Sequence, residues 1–560
     1  MVKEFQPYPF KAKQYSARLP TPEQTAKRAK VVIVGGGPVG LSVALGLARQ
    51  GVASVLIEAD DGVCFGSRAI CISRRSLEII DRLGALDGFL QTGLAWTGGR
   101  SFYRNEEVLA FKMPQDDNQK LPPMVNLAQY SIEQFLLDAA ERVPDLIDIH
   151  WQTRMTAIDA RPDGVTLSLS NPLGEYQLEA DWVVAGDGGR STIRELLDAK
   201  LVGTSYEGRY VIVDILMESD RPTERLAFFD PPANPGSTVL VHKQPDNVWR
   251  IDYQLQDDED PEEAIKMENV APRVQSMLDM MGERNPWAPI WTGIYKANAL
   301  TLENYRHGRV LFAGDAAHLV PIFGVRGANS GIDDADNLAW KLAYVVQGKA
   351  SDSLLDTYSD ERVFATHENL SYGTKSTEFM APPSFAFQLM RTAVLSLAVK
   401  HPALSQLINP RQTSAITYTE SPLNQEQEEN AAFNGGPRTG AVLPEGRLKV
   451  QGKDAHVTDL LGVGFTLYFF GDGAAIPSAW EQAAQRLARK DQELRLVTVT
   501  REQPEASSTA AWDSDGSVFA LYDAAPGSAY LVRPDGHVLA RWKKAQPERM
   551  EAAILKALNV

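Results

Sequence analysis

Cysteine is nearly absent. The chain has two, Cys64 and Cys71, with six residues between them. Such a pair makes neither a disulfide framework nor a zinc site, and it fits a reducing compartment. The eight histidines are scattered, and no Ser-His-Asp set or metal-ligand cluster appears, so no metal is expected. There is no run of ~18 apolar residues to span a bilayer. Residues 1–30 carry seven Lys/Arg and two Glu but no apolar stretch, so a cleaved leader is not expected. Positive charge is in deficit: 56 Lys+Arg against 72 Asp+Glu leave a net charge of −16. That excess opposes a nucleic-acid or anionic-membrane partner. A cytoplasmic protein is expected.

At 560 residues the chain is too long for one core, and two to four domains are expected. The most informative stretch is Val31–Asp60, VVIVGGGPVGLSVALGLARQGVASVLIEAD. Val31 to Val34 form a buried strand by their branching and apolar run. Gly35, Gly37 and Gly40 then give G-x-G-x-x-G. Their roles are a tight turn, close approach to a pyrophosphate, and close packing of helix on strand. A helix from about Pro38 to Arg49 points its positive end at the phosphates. Ser54 to Ile57 is the second strand. Glu58 follows, 18 residues past Gly40, where a carboxylate can accept from a ribose 2′-OH. In register, these parts signal an adenine dinucleotide. Glu58 disfavours a 2′-phosphate in this pocket, but the motif alone does not separate NAD from FAD.

Two later segments repeat the pattern of strand, glycine turn and helix. WVVAGDGGRSTIR (182–194) runs a strand into Asp187-Gly188, and RVLFAGDAAHLVPIFGVRGANSGIDDADNLAWKL (309–342) runs one into Gly314-Asp315. Near Val125–Glu141 an amphipathic helix is expected, with Gln129 at its N-terminal approach. Residues 1–30, with Pro7, Pro9, Pro20 and Pro22, read as an extended arm whose aromatics Phe5, Tyr8, Phe10 and Tyr15 pack on the body or a partner subunit. Residues 201–300 are strand-rich, and their alternation suits a sheet with one face toward a pocket.

In this order the three segments resemble the class A FAD-dependent aromatic hydroxylases, of the para-hydroxybenzoate and phenol hydroxylase type. The matching residues are Gly35-x-Gly37-x-x-Gly40 with Glu58, Asp187-Gly188-x-x-Ser191-x-x-Arg194, and Gly314-Asp315-Ala316-Ala317-His318 with Pro321 and Gly327-x-Asn329-x-Gly331. The resemblance covers residues 31 to about 550. It implies an α/β fold: a Rossmann-like FAD-binding domain interleaved with a β-sheet substrate domain, plus a thioredoxin-like C-terminal domain. The boundaries are an arm over 1–30, an FAD-binding domain from 31–200 and 301–375, a β-rich substrate domain over 201–300, a helical segment and linker over 376–435, and the C-terminal domain over 436–560. That last unit has no cysteine, which excludes thiol–disulfide chemistry.

The resemblance also implies roles. Asp315 holds the ribityl chain. Arg68, Gln129, Asp187 and Gly188 help hold FAD or serve the nicotinamide nucleotide as well. The Gly327-Ala328-Asn329 backbone, at the start of a helix, stabilises negative charge on the reduced ring. Candidates for the reacting side are Arg326, Pro321, His242, Tyr253 and Phe228, the last three as contacts to an aromatic ring or its hydroxyl. One departure is Phe323-Gly324-Val325-Arg326-Gly327, where relatives often read Gly-Gly-Gln-Gly. Two placements of Arg326 stay open: near the ring, binding a carboxylate or phenolate, or turned outward. The implied activity is NAD(P)H- and O₂-dependent hydroxylation of a phenolic or hydroxylated aromatic, carboxylated or not, through a flavin C4a-hydroperoxide. NADH and NADPH both stay open, and a homodimer is expected. Two alternatives are another FAD-dependent oxidoreductase of this fold, marked by uncoupled NAD(P)H oxidation, and a non-catalytic flavin scaffold, which aromatic-stimulated oxidation would exclude.

Overall fold

The computed structural model describes residues 4–559 except 67, 68, 257, 322, 409–411 and 506. Three strands with the expected apolar runs lie side by side in parallel. Ala29–Val34 pairs with Ser54–Ile57 on one side and with Gly174–Ala185 on the other. Val310–Phe312 then adds to the far edge of Gly174–Ala185. Register places Val34 opposite Ile57 and Ala185, and Ala185 opposite Phe312. All four strands therefore end at one level, and Gly35, Glu58, Gly186-Asp187 and Gly314-Asp315 follow them along one edge. This is the crevice outside the carboxyl ends where open α/β sheets bind ligands.

A second sheet of eight strands stands beside it, ordered His318–Leu319, Trp287–Thr301, Val202–Met217, Val248–Gln254, Thr238–Lys243, Arg225–Phe229, Gly98–Tyr103, Glu106–Lys112. One face packs on the helix Met267–Met281 through Val211, Val213, Ile215, Val239, Val241 and Ile251. The small sheet of Cys71–Ser73, Met124–Asn126 and Leu94–Trp96 joins the two large ones. The chain dips into the second sheet at Gly98–Lys112 and returns for residues 202–301.

The amphipathic segment near Val125–Glu141 is split. Met124–Asn126 is a strand of the small sheet, and the helix is Gln129–Ala140. Apolar neighbours on both sides of Val125 let a three-residue strand win over helical periodicity. The arm lies on the body of its own chain: Phe10 stacks on Tyr130 and Tyr15 on Trp151, with centroids 4.8 and 4.4 Å apart.

The C-terminal unit is a seven-stranded sheet flanked by helices Ser478–Ala488 and Pro547–Leu558. It packs against the first domain. Phe465 packs edge-on against Trp340 and Tyr344 of the helix Gly327–Val346. Arg533 pairs with the buried Glu361 (2.6 Å), which also takes Lys341 (2.8 Å). Residues 424–430, within the 376–435 stretch expected as a helical segment and linker, lie along this unit, with Gln425 N–H donating to Leu539 O and Asn430 Oδ1 accepting from Arg541. No helix among the described residues is long and apolar enough to cross a membrane.

Candidate functional site

The crevice is built first by glycines. A Cβ at Gly40 would collide with the Gly35 carbonyl, so only glycine lets the helix Pro38–Arg49 start so close to its strand. A Cβ at Gly331 would fall 2.6 Å from Val39 Cγ2, so the long helix Gly327–Val346 packs against the start of the first helix. Two helix N-termini thus converge on one groove, and both carry positive ends and unpaired N–H groups in their first turns. Gly37 and Gly188 face open space where a Cβ would stand. Glu58 closes the side of the groove: its Oε2 accepts from Gly36 N–H (2.5 Å) and its Oε1 from Asp60 N–H (2.9 Å). Burial raises its carboxyl above the ordinary range.

Asp187 lies at the end of the neighbouring strand. Its Oδ2 accepts from Ile193 N–H (3.1 Å), while Oδ1 is buried with no protein partner. Burial raises this carboxyl too. Arg194 ties this loop to the next, donating to Gly189 O (2.6 Å) and Ala316 O (3.0 Å). Asp315 stands exposed at the third strand end. Gln129 opens its helix, donating to Glu133 Oε1 (2.9 Å) and accepting from Ala69 N–H (3.2 Å). Glu133, not singled out from sequence, also accepts from Cys64 N–H (2.6 Å) and so anchors the backbone at Cys64. Arg68 lies outside the described residues. The open glycine cradle, the orphaned Asp187 oxygen and the two helix ends fit a long, anionic, hydroxyl-bearing group such as FAD. Among the described residues no His/Cys/Asp/Glu group is arranged to hold a metal.

Gly327, Ala328 and Asn329 form the first turn of the long helix. The Asn329 side chain is occupied: its Oδ1 accepts from Ser73 N–H (2.8 Å) and Ser76 Oγ (2.7 Å), and its Nδ2 donates to Cys71 O (3.0 Å). What this turn offers the groove is backbone. Behind it, Asp334 is fully buried between His318 Nε2 (2.7 Å) and Arg362 (2.5 Å), and it also accepts from Gly314 N–H (2.9 Å). Arg362, with His318 beside it, holds its carboxyl low, near 2, against burial. This network fixes the Gly314-Asp315 turn against the helix.

Arg326 is not turned outward. It is 2 % exposed and turns into the helix Leu354–Met380, donating to Asn369 Oδ1 (2.9 Å) and lying over the Tyr372 ring. Burial lowers its pKa to about 10. The turn that leads into it holds Val325 at φ +52°, a strained value for a β-branched residue. Pro321 is buried and lies where a Cβ on Gly373 of the same helix would touch it.

The three sheet candidates do not share a face. Leu226 pairs with Val241 and His242 with Arg250, so strand alternation puts Phe228 and Tyr253 on one side and His242 on the other. Phe228 stacks on Phe102 (4.9 Å), and Tyr253 lies under Arg273, both on the face covered by Met267–Met281. They are core residues there, which corrects their reading as ring contacts. His242 belongs to the opposite face, where burial and two arginines lower its pKa to about 3. Sequence reasoning passed over its neighbours. Asp214 and Arg250 form a buried bidentate pair (2.8 and 2.9 Å), and Tyr8 of the arm donates to Asp214 Oδ2 (3.1 Å). Arg225 and Asp252 complete the group, both buried. Their signal was the period-two charge in Trp249-Arg250-Ile251-Asp252-Tyr253, which on a buried strand marks a polar face.

Residues 28–370 match the family described as FAD binding domain, and residues 436–559 match the aromatic-ring hydroxylase C-terminal family. A 3-(3-hydroxy-phenyl)propionate/3-hydroxycinnamic acid hydroxylase of Mycolicibacterium smegmatis is 28 % identical over 524 residues, covering 90 % of this chain and 89 % of the relative. The fold is shared with the flavin-dependent monooxygenase PieE in complex with FAD and substrate (TM-score 0.77, 21 % identity, 95 % of this chain and 99 % of the other). It is shared as well with aklavinone-11 hydroxylase bound to FAD and aklavinone (TM-score 0.74, 24 % identity, the same coverage).

Proposed function

As the chain belongs to the FAD-binding-domain family and carries the aromatic-ring hydroxylase C-terminal unit, we propose that it hydroxylates a phenolic or related aromatic compound, using FAD, NADH or NADPH, and O₂. The observation that carries this reading is the meeting of two helix N-termini, at Pro38 and Gly327, across the Gly331–Val39 contact on the edge where Glu58, Asp187 and Asp315 also stand. Bound FAD would supply two-electron reduction by NAD(P)H and transfer of one atom of O₂ to the ring, chemistry no protein side chain here can provide.

The chain's own residues bind, orient and shield. In this reading Gly35, Gly37 and Gly40 with the first helix end take the pyrophosphate. Glu58 accepts from the adenosine ribose hydroxyls, and Asp315 takes the ribityl hydroxyls. Gln129, Asp187 and Gly188 complete the cradle, with Arg68 assigned there from the resemblance alone. The N–H groups of Gly327, Ala328 and Asn329 favour negative charge at the pyrimidine end of the ring. The second sheet and the small sheet exclude water from the reacting face. The Asp334 network holds the Gly314-Asp315 turn in place without touching substrate.

The cytoplasmic assignment rests on the two free cysteines. The homodimer rests on helix Phe385–Ala398, which exposes Phe385 (78 %), Leu389, Met390 and Leu397. Sedimentation would test it: a sharp monomer at micromolar concentration removes it. The activity is tested by screening phenols and hydroxybenzoates for stimulated NAD(P)H oxidation and identifying products by mass. Stimulated oxidation with a product 16 mass units heavier is expected; oxidation that no aromatic stimulates removes the reading.

A further inference from the structure

The polar face of the second sheet holds more charge than it pairs. Register sets Arg225, His242, Arg250 and Asp214 side by side on four neighbouring strands, and Asp252 two residues beyond Arg250 on the same face. Asp214 and Arg250 satisfy each other. The other three are each at least nine-tenths buried (Arg225 4 %, His242 4 %, Asp252 8 % exposed). Each also has a buried polar atom with no protein partner: Nη1 of Arg225, Nδ1 of His242, Oδ1 of Asp252. Three such orphans on one face are costly unless something completes them.

Cys71 stands near Arg225, Arg250 and Asp252, and apolar side chains pack around it. Ile70, Cys71, Trp96 and Met124 form a cluster with Phe111, Met113 and Val325. Asn126 clamps this cluster to the sheet: its Oδ1 accepts from Trp96 Nε1 (2.7 Å) and its Nδ2 donates to Lys243 O (2.8 Å). Val325 comes just before the helix turn assigned to the flavin ring. The region therefore sets apolar side chains beside a polar face with a guanidinium at one end and a carboxyl at the other. Strand spacing sets the Arg225 and Asp252 Cα atoms roughly 12 Å apart. One benzene ring with a short acidic side arm spans that distance once both side chains reach inward. Asp252 is also pushed up to about 7 by burial, against the pull of both arginines, so it can give or take a proton near neutrality.

We propose that Arg225 anchors the carboxylate of a hydroxylated aromatic acid and Asp252 accepts from its ring hydroxyl, so that this face, and not Arg326, selects the substrate. The inference rests on the hydroxylase reading and sharpens it to a substrate class. An arginine fork suits a carboxylate, and a ligand held this way would complete two of the three orphans, Arg225 Nη1 and Asp252 Oδ1.

The test is equilibrium binding to the FAD-loaded protein, followed by flavin absorbance, with two probes: 3-(3-hydroxyphenyl)propionate and 3-propylphenol, which lacks the acid. Wild type should prefer the acid by about 10- to 100-fold, the size of one charge-assisted contact. In Arg225→Gln that preference should collapse to under about 3-fold while 3-propylphenol binding is kept. Arg225→Lys, which keeps the charge but not the fork, should fall between. Asp252→Asn should weaken both probes alike, since both carry the hydroxyl. A wild type with no preference for the acid, or an Arg225→Gln protein that keeps it, overturns the inference alone. A wild type that binds neither probe nor any phenol overturns the hydroxylase reading with it.

Discussion

The two faces of the second sheet come from the same strands and differ in the charge those strands carry. Toward Met267–Met281, the side chains of Val211, Val213, Val241 and Ile251 fill a dry core. One residue along each strand, Asp214, His242, Arg250 and Asp252 point the other way. The first face is held mainly by apolar burial, with Trp249 Nε1 and Tyr253 Oη, among the described residues, its two polar atoms that lack a protein partner. The second is costly to bury and stays only partly paired, which an evolved core avoids unless a ligand is to be held. Aromatic residues drew attention in the sequence, yet Phe228 and Tyr253 belong to the dry face. The binding character lies with the charged residues beside them.

The largest effect should come from Asp214→Ala. It removes the carboxylate that pairs with the buried Arg250 guanidinium and should lower stability by about 3–5 kcal/mol in urea unfolding. Replacing both partners with Leu and Met should restore most of that loss. If Asp214→Ala is nearly neutral, the polar face is wetter than its burial implies. Next, Ile251→Ala should cost about 2–5 kcal/mol by cavity formation while leaving aromatic binding at wild-type strength. A binding loss there would blur the line between the faces.

A smaller effect is pH-dependent. Asp252 binds its proton more tightly folded, near 7, than unfolded, near the ordinary carboxyl value. Between those values the folded state holds the extra proton, so stability falls as pH rises, by up to about 1.4 kcal/mol per unit. Asp252→Asn should flatten that slope between about pH 4 and 7; urea unfolding at pH 5 and 7.5 would read it, and an unchanged slope would place the titration elsewhere. The smallest change belongs to Phe228→Leu, with about 1 kcal/mol of stability lost. Steady-state KM for the aromatic substrate should not move; if it does, Phe228 reaches the substrate after all.

The dinucleotide half was legible because its constraints are local. Gly35, Gly40 and Glu58 act within 30 residues, and the helix Pro38–Arg49 and strand Ser54–Ile57 fall where apolar spacing put them. The split at Val125 was hidden because a three-residue strand has no period to detect, and its partners at Cys71 and Leu94 are remote in sequence. Arg326 was undecidable for a similar reason: its partner Asn369 lies 43 positions away. The pairing of Asp214 with Arg250, and Arg225 beside His242, depends on strand order in a sheet, which no local pattern encodes. Docking of the C-terminal unit through Arg533 and Glu361 spans 172 positions and left no trace a linear reading could use.

In the proposed reaction the glycine-built crevice with Glu58, Asp187 and Asp315 serves oxygen transfer to an aromatic ring. The most direct measurement is turnover of 3-(3-hydroxyphenyl)propionate by the FAD-loaded protein with NAD(P)H under ¹⁸O₂, followed by mass spectrometry of the product. One ¹⁸O atom per hydroxylated molecule is the predicted result. Unlabelled product, or NAD(P)H consumed with no hydroxylated product from this or any other phenol, would contradict it.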